Sequence, residues 1–350
     1  MRVLVTGGAG YIGSHAAKRL LDDGHDVVVV DNLSRGHSAA VSRLRTLPGV
    51  TEKRLVFQAC DIADRPTIER LLKDHGVEVV MHFAALAYVR ESVDQPLPYY
   101  RGNTAGALAL LEAVAAAGVN RFIFSSTCAT YGDVPMDRVP ITEDAPQRPI
   151  NPYGWSKLFV EQMLTDHAAQ QERAGRPFGF AALRYFNVAG CDRTGLLGEH
   201  HEPETHIIPL LLQTAMGVRD SFTILGTDYP TPDGTCIRDY IHVEDLVDAH
   251  VLVMNRLRPG EQMRFNLGNG SPRSVREIIA SVERVTGKAI ATREAPRALG
   301  DPPRLFADAS KITRELGWTP TVTELDEIVR SAWRWFELHP KGYTTEATAR

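Results

Sequence analysis

The sequence predicts an α/β protein: a doubly wound parallel sheet followed by a smaller, mixed α/β domain. Three observations point there. Short apolar runs alternate with helix-patterned stretches through the first half of the chain. A glycine-rich turn, Gly7 to Gly13, lies directly between the first apolar run and the first helical pattern. The second run, Val27 to Val30, closes on an acid, Asp31.

Taken in order, strands are expected at Arg2–Thr6, Asp26–Asp31, Leu55–Cys60, Glu78–Phe83, Arg121–Ser125 and Phe178–Arg184. The clearest helices between them are Ala105–Ala117 and Tyr153–Ala174, the first rich in Ala and Leu as befits a covered helix. After Arg184 the pattern breaks into loops rich in Gly, Pro, Asp and His. A helix is expected at Ile207–Gly217, strands at Thr223–Leu225 and Arg264–Leu267, and helices at Ser274–Thr286 and Glu324–Phe336. The polar tail Gly342–Arg350 is expected to fray. Residues 1–185 are expected to form a dinucleotide-binding domain to which about 236–262 return, 186–340 mainly the substrate domain, and 341–350 the tail.

The bulk numbers exclude several classes. A formal net charge of -4 over 350 residues, with no basic stripe, gives no general attraction for nucleic acid. The longest apolar runs are strand-sized, too short to span a bilayer. The chain enters a strand at once, so no signal peptide is expected. Four cysteines, Cys60, Cys128, Cys191 and Cys236, lack CxxC spacing and suit reduced thiols in a cytoplasm.

Gly7, Gly10 and Gly13, with Tyr11 and Ile12 between them, read GxxGxxG, the short-chain dehydrogenase variant of the Rossmann turn. Glycines let the backbone approach a pyrophosphate, whose charge then meets a helix N-terminus. Asp31 is placed to accept the adenosine ribose hydroxyls, with Asn32, Leu33, Ser34 and Gly36 alongside. A carboxylate there repels a 2′-phosphate and favours NAD, although Arg35 nearby weighs the other way. Asp61 and Ile62 follow the third strand and are expected at the adenine. Phe83, Ala84 and Ala85 offer small residues beside the cofactor.

Tyr153 and Lys157 stand four apart on a predicted helix and so share a face. A free tyrosine, with a pKa of roughly 10, is a poor base at neutral pH. A neighbouring ammonium and an oxidised nicotinamide favour its phenolate. The strand ending Ser125-Ser126-Thr127 would set a hydroxyl beside the substrate oxygen.

The segments TGGAGYIGSH, DNLS, HFAALAYV, SSTCATYGD, NPYGWSKL, RYFNVAG, TPDGTCIRDYIHVEDL and FNLGNG follow in the order and spacing of UDP-glucose 4-epimerases, which the chain resembles from Arg2 to about Pro340. The resemblance implies that Tyr153 is the acid/base, Lys157 binds the nicotinamide ribose, and Thr127 is the family's Ser/Thr. It places Phe186 at the nicotinamide of NAD. It places Asn187, His206, Ile207, Thr223, Leu225, Arg238, Arg297 and Asp301 on the UDP-sugar, with Arg238 at the diphosphate. It further implies a 4-keto intermediate and a homodimer paired through the two long helices.

Three departures stand out: Ala298 where many relatives carry a second arginine, Ala87 where some carry lysine, and Arg90 for a glycine. Arg297 or Arg304 would have to compensate for the first. Leu305 falls where relatives vary in bulk beside the hexose, leaving UDP-GlcNAc/GalNAc and UDP-xylose/arabinose open. A 4,6-dehydratase needs an Asp-Glu pair after the strand-end Thr; here Cys128-Ala129-Thr130 follow. An NAD-binding regulator that had lost catalysis would be expected to have lost Tyr153 or Lys157. Glu199-His200-His201-Glu202, with Glu204 and His206, lacks HExxH spacing and reads as a substrate-covering loop, so no metal is expected. His242 and His250 read as structural or surface residues at a helix boundary, and Trp155, Trp318, Trp333 and Trp335 as packing or surface residues.

Overall fold

The computed structural model describes residues 1–297 and 302–344. Chain order begins β1 (Arg2–Thr6), α1 (Tyr11–Asp22), β2 (Asp26–Asp31), α2 (Ser38–Leu44), β3 (Leu55–Ala59), α3 (Arg65–Asp74) and β4 (Val79–His82). Short helices α4 (Val89–Asp94) and α5 (Pro96–Tyr99) lead through a π-helical turn, Tyr100–Ala105, into α6 (Gly106–Ala117). Then come β5 (Arg121–Thr127), α7 (Pro152–Arg173) and β6 (Gly179–Tyr185). The second half holds β7 (Asn187–Ala189), α8 (Ile207–Ala215), β8 (Phe222–Leu225), β9 (Ile237–Arg238), β10 (Tyr240–His242), α9 (Val243–Arg256) and β11 (Gln262–Leu267). It closes with β12 (Arg273–Ser274), α10 (Val275–Thr286), β13 (Thr292–Ala295), β14 (Arg304–Leu305), α11 (Ser310–Leu316) and α12 (Leu325–Leu338).

Seven strands form one parallel sheet in the order β11-β6-β5-β4-β1-β2-β3. The order reverses between β1 and β4, the switch point beside which such sheets bind ligands. The valines of β2 show why the sheet is covered twice. Val27 and Val29 join one core with Val3 and Val5, whereas Val28 and Val30 join the other with Leu4. The first core runs on into the C-terminal region through Ile208, Ile278, Ile328 and Trp335. The two regions therefore share one interior instead of closing separate ones.

Three expectations need correction. The return to the first domain does not stop at 262, because β11 pairs with β6 and is the seventh strand of the main sheet. Nor does His250 sit at a helix boundary: it is fully buried inside α9, its Nδ1 2.8 Å from the Leu246 carbonyl. The start of the tail is docked rather than frayed. The Tyr343 hydroxyl accepts from Gly198 N at 3.0 Å, and its ring lies 4.8 Å from that of Trp335.

The remaining short strands bring the far wall together. β7 pairs with β10, β8 with β13, and β9 lies between β12 and β14. Asn187, Thr223, Leu225 and Arg238 are thereby fixed on paired backbone.

Candidate active site

The glycine turn is a cradle that side chains would fill. Gly7 has φ +70°, and a Cβ there would lie 2.6 Å from Ala84 N; one on Gly13 would lie 2.2 Å from the Gly7 carbonyl oxygen. Gly10 caps α1 without a side-chain bond, and the helix has no acid in its first turn. Its backbone N–H groups are thus available to a diphosphate. Asp31, 6% exposed, accepts from Ala9 N at 3.0 Å and Leu33 N at 2.8 Å. Burial pushes its carboxyl up, while those two bonds pull the other way. Each oxygen keeps a lone pair for a ribose hydroxyl. These features fit a dinucleotide.

The rim continues through Asn32, whose Nδ2 donates to Asp61 at 2.8 Å and whose Oδ1 accepts from Ser34 N at 3.0 Å. Leu33 takes φ 59°, the one non-glycine residue with positive φ among those described. A Cβ on Gly36 would come within 2.8 Å of the Asp31 carboxylate oxygens. Ile62 is buried in the second core against Gly106, so its side chain packs inward. Arg35 is bound at 2.7 Å by Glu91 and lies over the Tyr88 ring, engagements that draw it away from a competing 2′-phosphate.

Tyr153 and Lys157 sit in the first two turns of α7. Asn151 caps that helix by accepting from Gly154 N at 2.8 Å, and Pro152 opens it. Gly154 lets α7 press on the turn after β5, since a Cβ there would meet the Ala129 carbonyl at 2.4 Å. The approach brings the Tyr153 phenol near the Thr127 hydroxyl. Burial raises the Tyr153 phenol to about 12, against the nearby Thr127 hydroxyl, which lowers it. Lys157 is 3% exposed and burial lowers it to about 7; its Nζ donates to the Ser125 carbonyl at 2.9 Å. The Tyr153 ring centroid lies 6.0 Å from that ammonium.

Several positioning residues escaped sequence reading. Asn103, in the π-helical turn, holds both Leu86 backbone groups (2.8 and 2.9 Å) and Ser156 Oγ (3.0 Å). It thereby ties the loop after β4 to α7. Tyr99 packs edge-on to Tyr153 at 6.4 Å. One turn beyond Lys157, Glu161 forms a buried ion pair with Arg184 at 2.5 Å and accepts from Ser126 Oγ at 2.5 Å. Burial favours its neutral form, but Arg184 and Ser126 hold it below the usual range. The Ser125 and Tyr185 hydroxyls bond to each other. None of these pairs has a local spacing; the Ser126–Thr127 hydroxyl run was the one available hint.

On the far wall, Phe186 and Asn187 are half-buried at the start of β7. Arg238 is 9% exposed, donates to the Pro302 carbonyl at 2.9 Å, and sits in register with Leu305. Burial pushes the Cys128 thiol up to about 12, and the Arg238 charge opposes that shift. Arg238 thus lies close to the turn after β5. Thr223 and Leu225 line up on β8, beside an open cleft of about 400 Å³ bounded by Gly226, Ala295 and Arg297. Arg297 is itself exposed, bound to Asp228 at 2.7 Å and stacked over Tyr229. Asp301 and Ala298 lie outside the described residues.

His206 and Ile207 start α8. Burial would lower His201 and His206, but the carboxylates of Glu199 and Glu204 raise them to about 9 and about 10. His242 and His250 are held neutral, each lowered to about 4 by burial.

Comparison with known proteins identifies the family. Residues 3–268 match the model of the NAD dependent epimerase/dehydratase family. A UDP-glucose 4-epimerase of Halalkalibacterium halodurans is 45% identical over 347 residues, 99% of this chain and 98% of its own. UDP-arabinose 4-epimerase 1 of Arabidopsis thaliana is 46% identical over 348 residues, 97% of this chain and 80% of its own. Among solved structures, a UDP-glucose-4-epimerase of Stenotrophomonas maltophila, with bound NAD and formylated UDP-arabinopyranose, superposes with a TM-score of 0.90 at 41% identity, covering 97% of this chain and 99% of that one. With its glycine cradle, Asp31 and the Thr127–Tyr153–Lys157 centre, the chain belongs to the NAD-dependent epimerase/dehydratase family.

Proposed function

We propose that the chain is an NAD-dependent UDP-sugar 4-epimerase that interconverts UDP-galactose and UDP-glucose. The observation that carries this reading is the turn after β5. The Thr127 hydroxyl is near enough to the Tyr153 phenol to lower its pKa, and the residues that follow, Cys128, Ala129 and Thr130, hold no acid/base pair. Elimination of water from the sugar would need such a pair; epimerisation needs one reversible proton carrier.

Bound NAD supplies a hydride acceptor that is restored within the same turnover. Tyr153 takes the proton from the sugar 4-hydroxyl and returns it to the same oxygen. Thr127 holds that oxygen beside the phenol. With Tyr153 at about 12 and Lys157 at about 7, the phenol of the free site is neutral and the lysine is about half protonated near neutrality. A positive charge placed beside the phenol lowers its pKa, so the base forms when the site is loaded. The 4-keto sugar must present both faces in turn, which requires tight hold on the nucleotide and little on the hexose. Arg238 supports that division, its planar fork suiting a diphosphate. Thr223, Leu225, Arg297, His206, Ile207 and Asp301 are assigned to the UDP side, and Asn187 and Phe186 to the sugar and nicotinamide.

A second reading, a UDP-pentose epimerase, is favoured by the similarity to the Arabidopsis UDP-arabinose 4-epimerase. A homodimer fits the apolar patch where Leu97 (71% exposed), Leu108 (46%), Trp155 (39%) and Phe159 (42%) stand on α5, α6 and α7. A monomer by light scattering at micromolar concentration would contradict it.

The test is turnover of UDP-galactose, UDP-glucose, UDP-GlcNAc and UDP-xylose by purified protein. UDP-galactose and UDP-glucose should interconvert, and Tyr153→Phe should slow this by about 10²- to 10⁴-fold. Preference for UDP-xylose selects the second reading. No conversion of any sugar, or full activity in Tyr153→Phe, overturns both.

A further inference from the structure

Four side chains of one loop converge on a point although their spacing matches no metal motif. Glu199, His201, Glu204 and His206, between β7 and the first turn of α8, each offer a donor atom, and the four atoms lie within 4.8 Å of one another. The Glu199 carboxylate stands 2.8 Å from His206 Nδ1 and 3.4 Å from His201 Nδ1. Glu204 Oε2 stands 3.6 Å from His201 Nδ1, and Glu204 Oε1 stands 3.4 Å from His206 Nδ1. A tetrahedron of ligands at about 2.0–2.1 Å from zinc has edges of about 3.3 Å; the imidazole–carboxylate pairs already stand near that spacing, and the four donors, within 4.8 Å of one another, need only a small contraction to reach it.

The donors are shielded yet poorly matched to one another. The Glu199 and Glu204 side chains are 3% and 4% exposed. Glu199 Oε1, His201 Nδ1 and His206 Nδ1 are buried atoms that make no hydrogen bond of acceptable geometry, despite their closeness. Buried polar atoms almost always have such a bond, so three that meet at one point as ion pairs without an aligned hydrogen bond invite a common ligand. Without an ion, two imidazoliums balance the two carboxylates; a divalent cation takes the place of the two protons they release, so the loaded site is neutral as well.

We propose that Glu199, His201, Glu204 and His206 form a site for a divalent transition-metal ion, with zinc(II) the best chemical match to two imidazoles and two carboxylates. All four positions are filled by protein, so the site is structural rather than catalytic. Its place explains what it would hold. The His201 ring packs edge-on to Tyr11, which lies within the glycine cradle, at 6.1 Å and to Tyr88 at 6.0 Å. Tyr11 in turn donates to the Gly190 carbonyl at 2.5 Å. The ion would pin this loop as one wall of the cofactor cleft, an assignment that stands apart from the choice of sugar.

The experiment is titration of EDTA-treated full-length protein with zinc(II) by calorimetry, and with cobalt(II) by visible absorption. One equivalent per chain should bind below micromolar, raise the melting temperature, and give the intense 500–650 nm bands of tetrahedral cobalt. His201→Gln and Glu204→Gln should each weaken zinc binding by more than about 100-fold. Absence of saturable binding to the wild type overturns the proposal, as does an octahedral cobalt spectrum or binding undiminished in both variants. The wild-type spectrum decides the matter even where a variant fails to fold.

Discussion

Lys157 donates to the Ser125 carbonyl at 2.9 Å, leaving its ammonium 6.0 Å from the Tyr153 ring centroid. The lysine is thus anchored to the end of β5 and not to the tyrosine it serves. Its burial has a measurable consequence. A lysine lowered to about 7 in the fold, against roughly 10.4 when unfolded, binds fewer protons folded than unfolded between those values. Stability of the ligand-free protein should therefore rise as pH goes from about 7 toward 10, by a few kcal/mol at most. Urea unfolding of wild type and Lys157→Met over that range should show the rise in the former and a flatter profile in the latter.

Gly154→Ala should damage the site through geometry alone. The added Cβ would meet backbone, the Ala129 carbonyl, at 2.4 Å. Helix α7 must then back away, moving Tyr153 from Thr127. Stability should fall by about 1–3 kcal/mol, and kcat should fall further than KM changes. Wild-type kcat in the alanine variant would contradict this account of the glycine.

The Glu161–Arg184 pair should behave as a buried ion pair. Arg184→Met strands the carboxylate that Ser126 and the arginine share, costing about 3–5 kcal/mol. Replacing both with methionine should recover a large part of that loss in urea unfolding. Equal loss in the single and double variants would show that packing, not charge, dominates.

Asp31→Asn should weaken NAD binding and narrow the preference over NADP, because it removes the charge that repels a 2′-phosphate. A lost hydrogen bond from a charged acceptor is worth about 1.5–3 kcal/mol, or roughly 10- to 100-fold in Kd by calorimetry. Arg35→Ala should leave NAD affinity nearly unchanged, since its guanidinium is bound to Glu91.

The parts of this molecule that the sequence announces are those written in consecutive residues. The glycine turn, Asp31 after the valines, and Tyr153 with Lys157 each need one turn or one helix to be formed, so spacing alone reveals them. Helix α9 was hidden because its buried face includes Asp245 and His250. Asp245 is satisfied at a distance, by Thr321 N and Val322 N at 2.9 Å each, which no local pattern signals. Asn103, Glu161 with Arg184, and the four donors of the 199–206 loop are likewise products of tertiary approach. Tyr343 looked like tail because its partners, Gly198 and Trp335, lie far away in sequence or on another helix.

The most direct test of the central claim is the fate of hydrogen at C4 when UDP-galactose is converted in D₂O. If Tyr153 handles the hydroxyl proton while the C4 hydrogen leaves and returns as hydride within one turnover, the UDP-glucose formed carries no deuterium at C4. Deuterium at C4 in proportion to turnover would mean that a solvent-exchanging base attacks the carbon itself, contradicting the account.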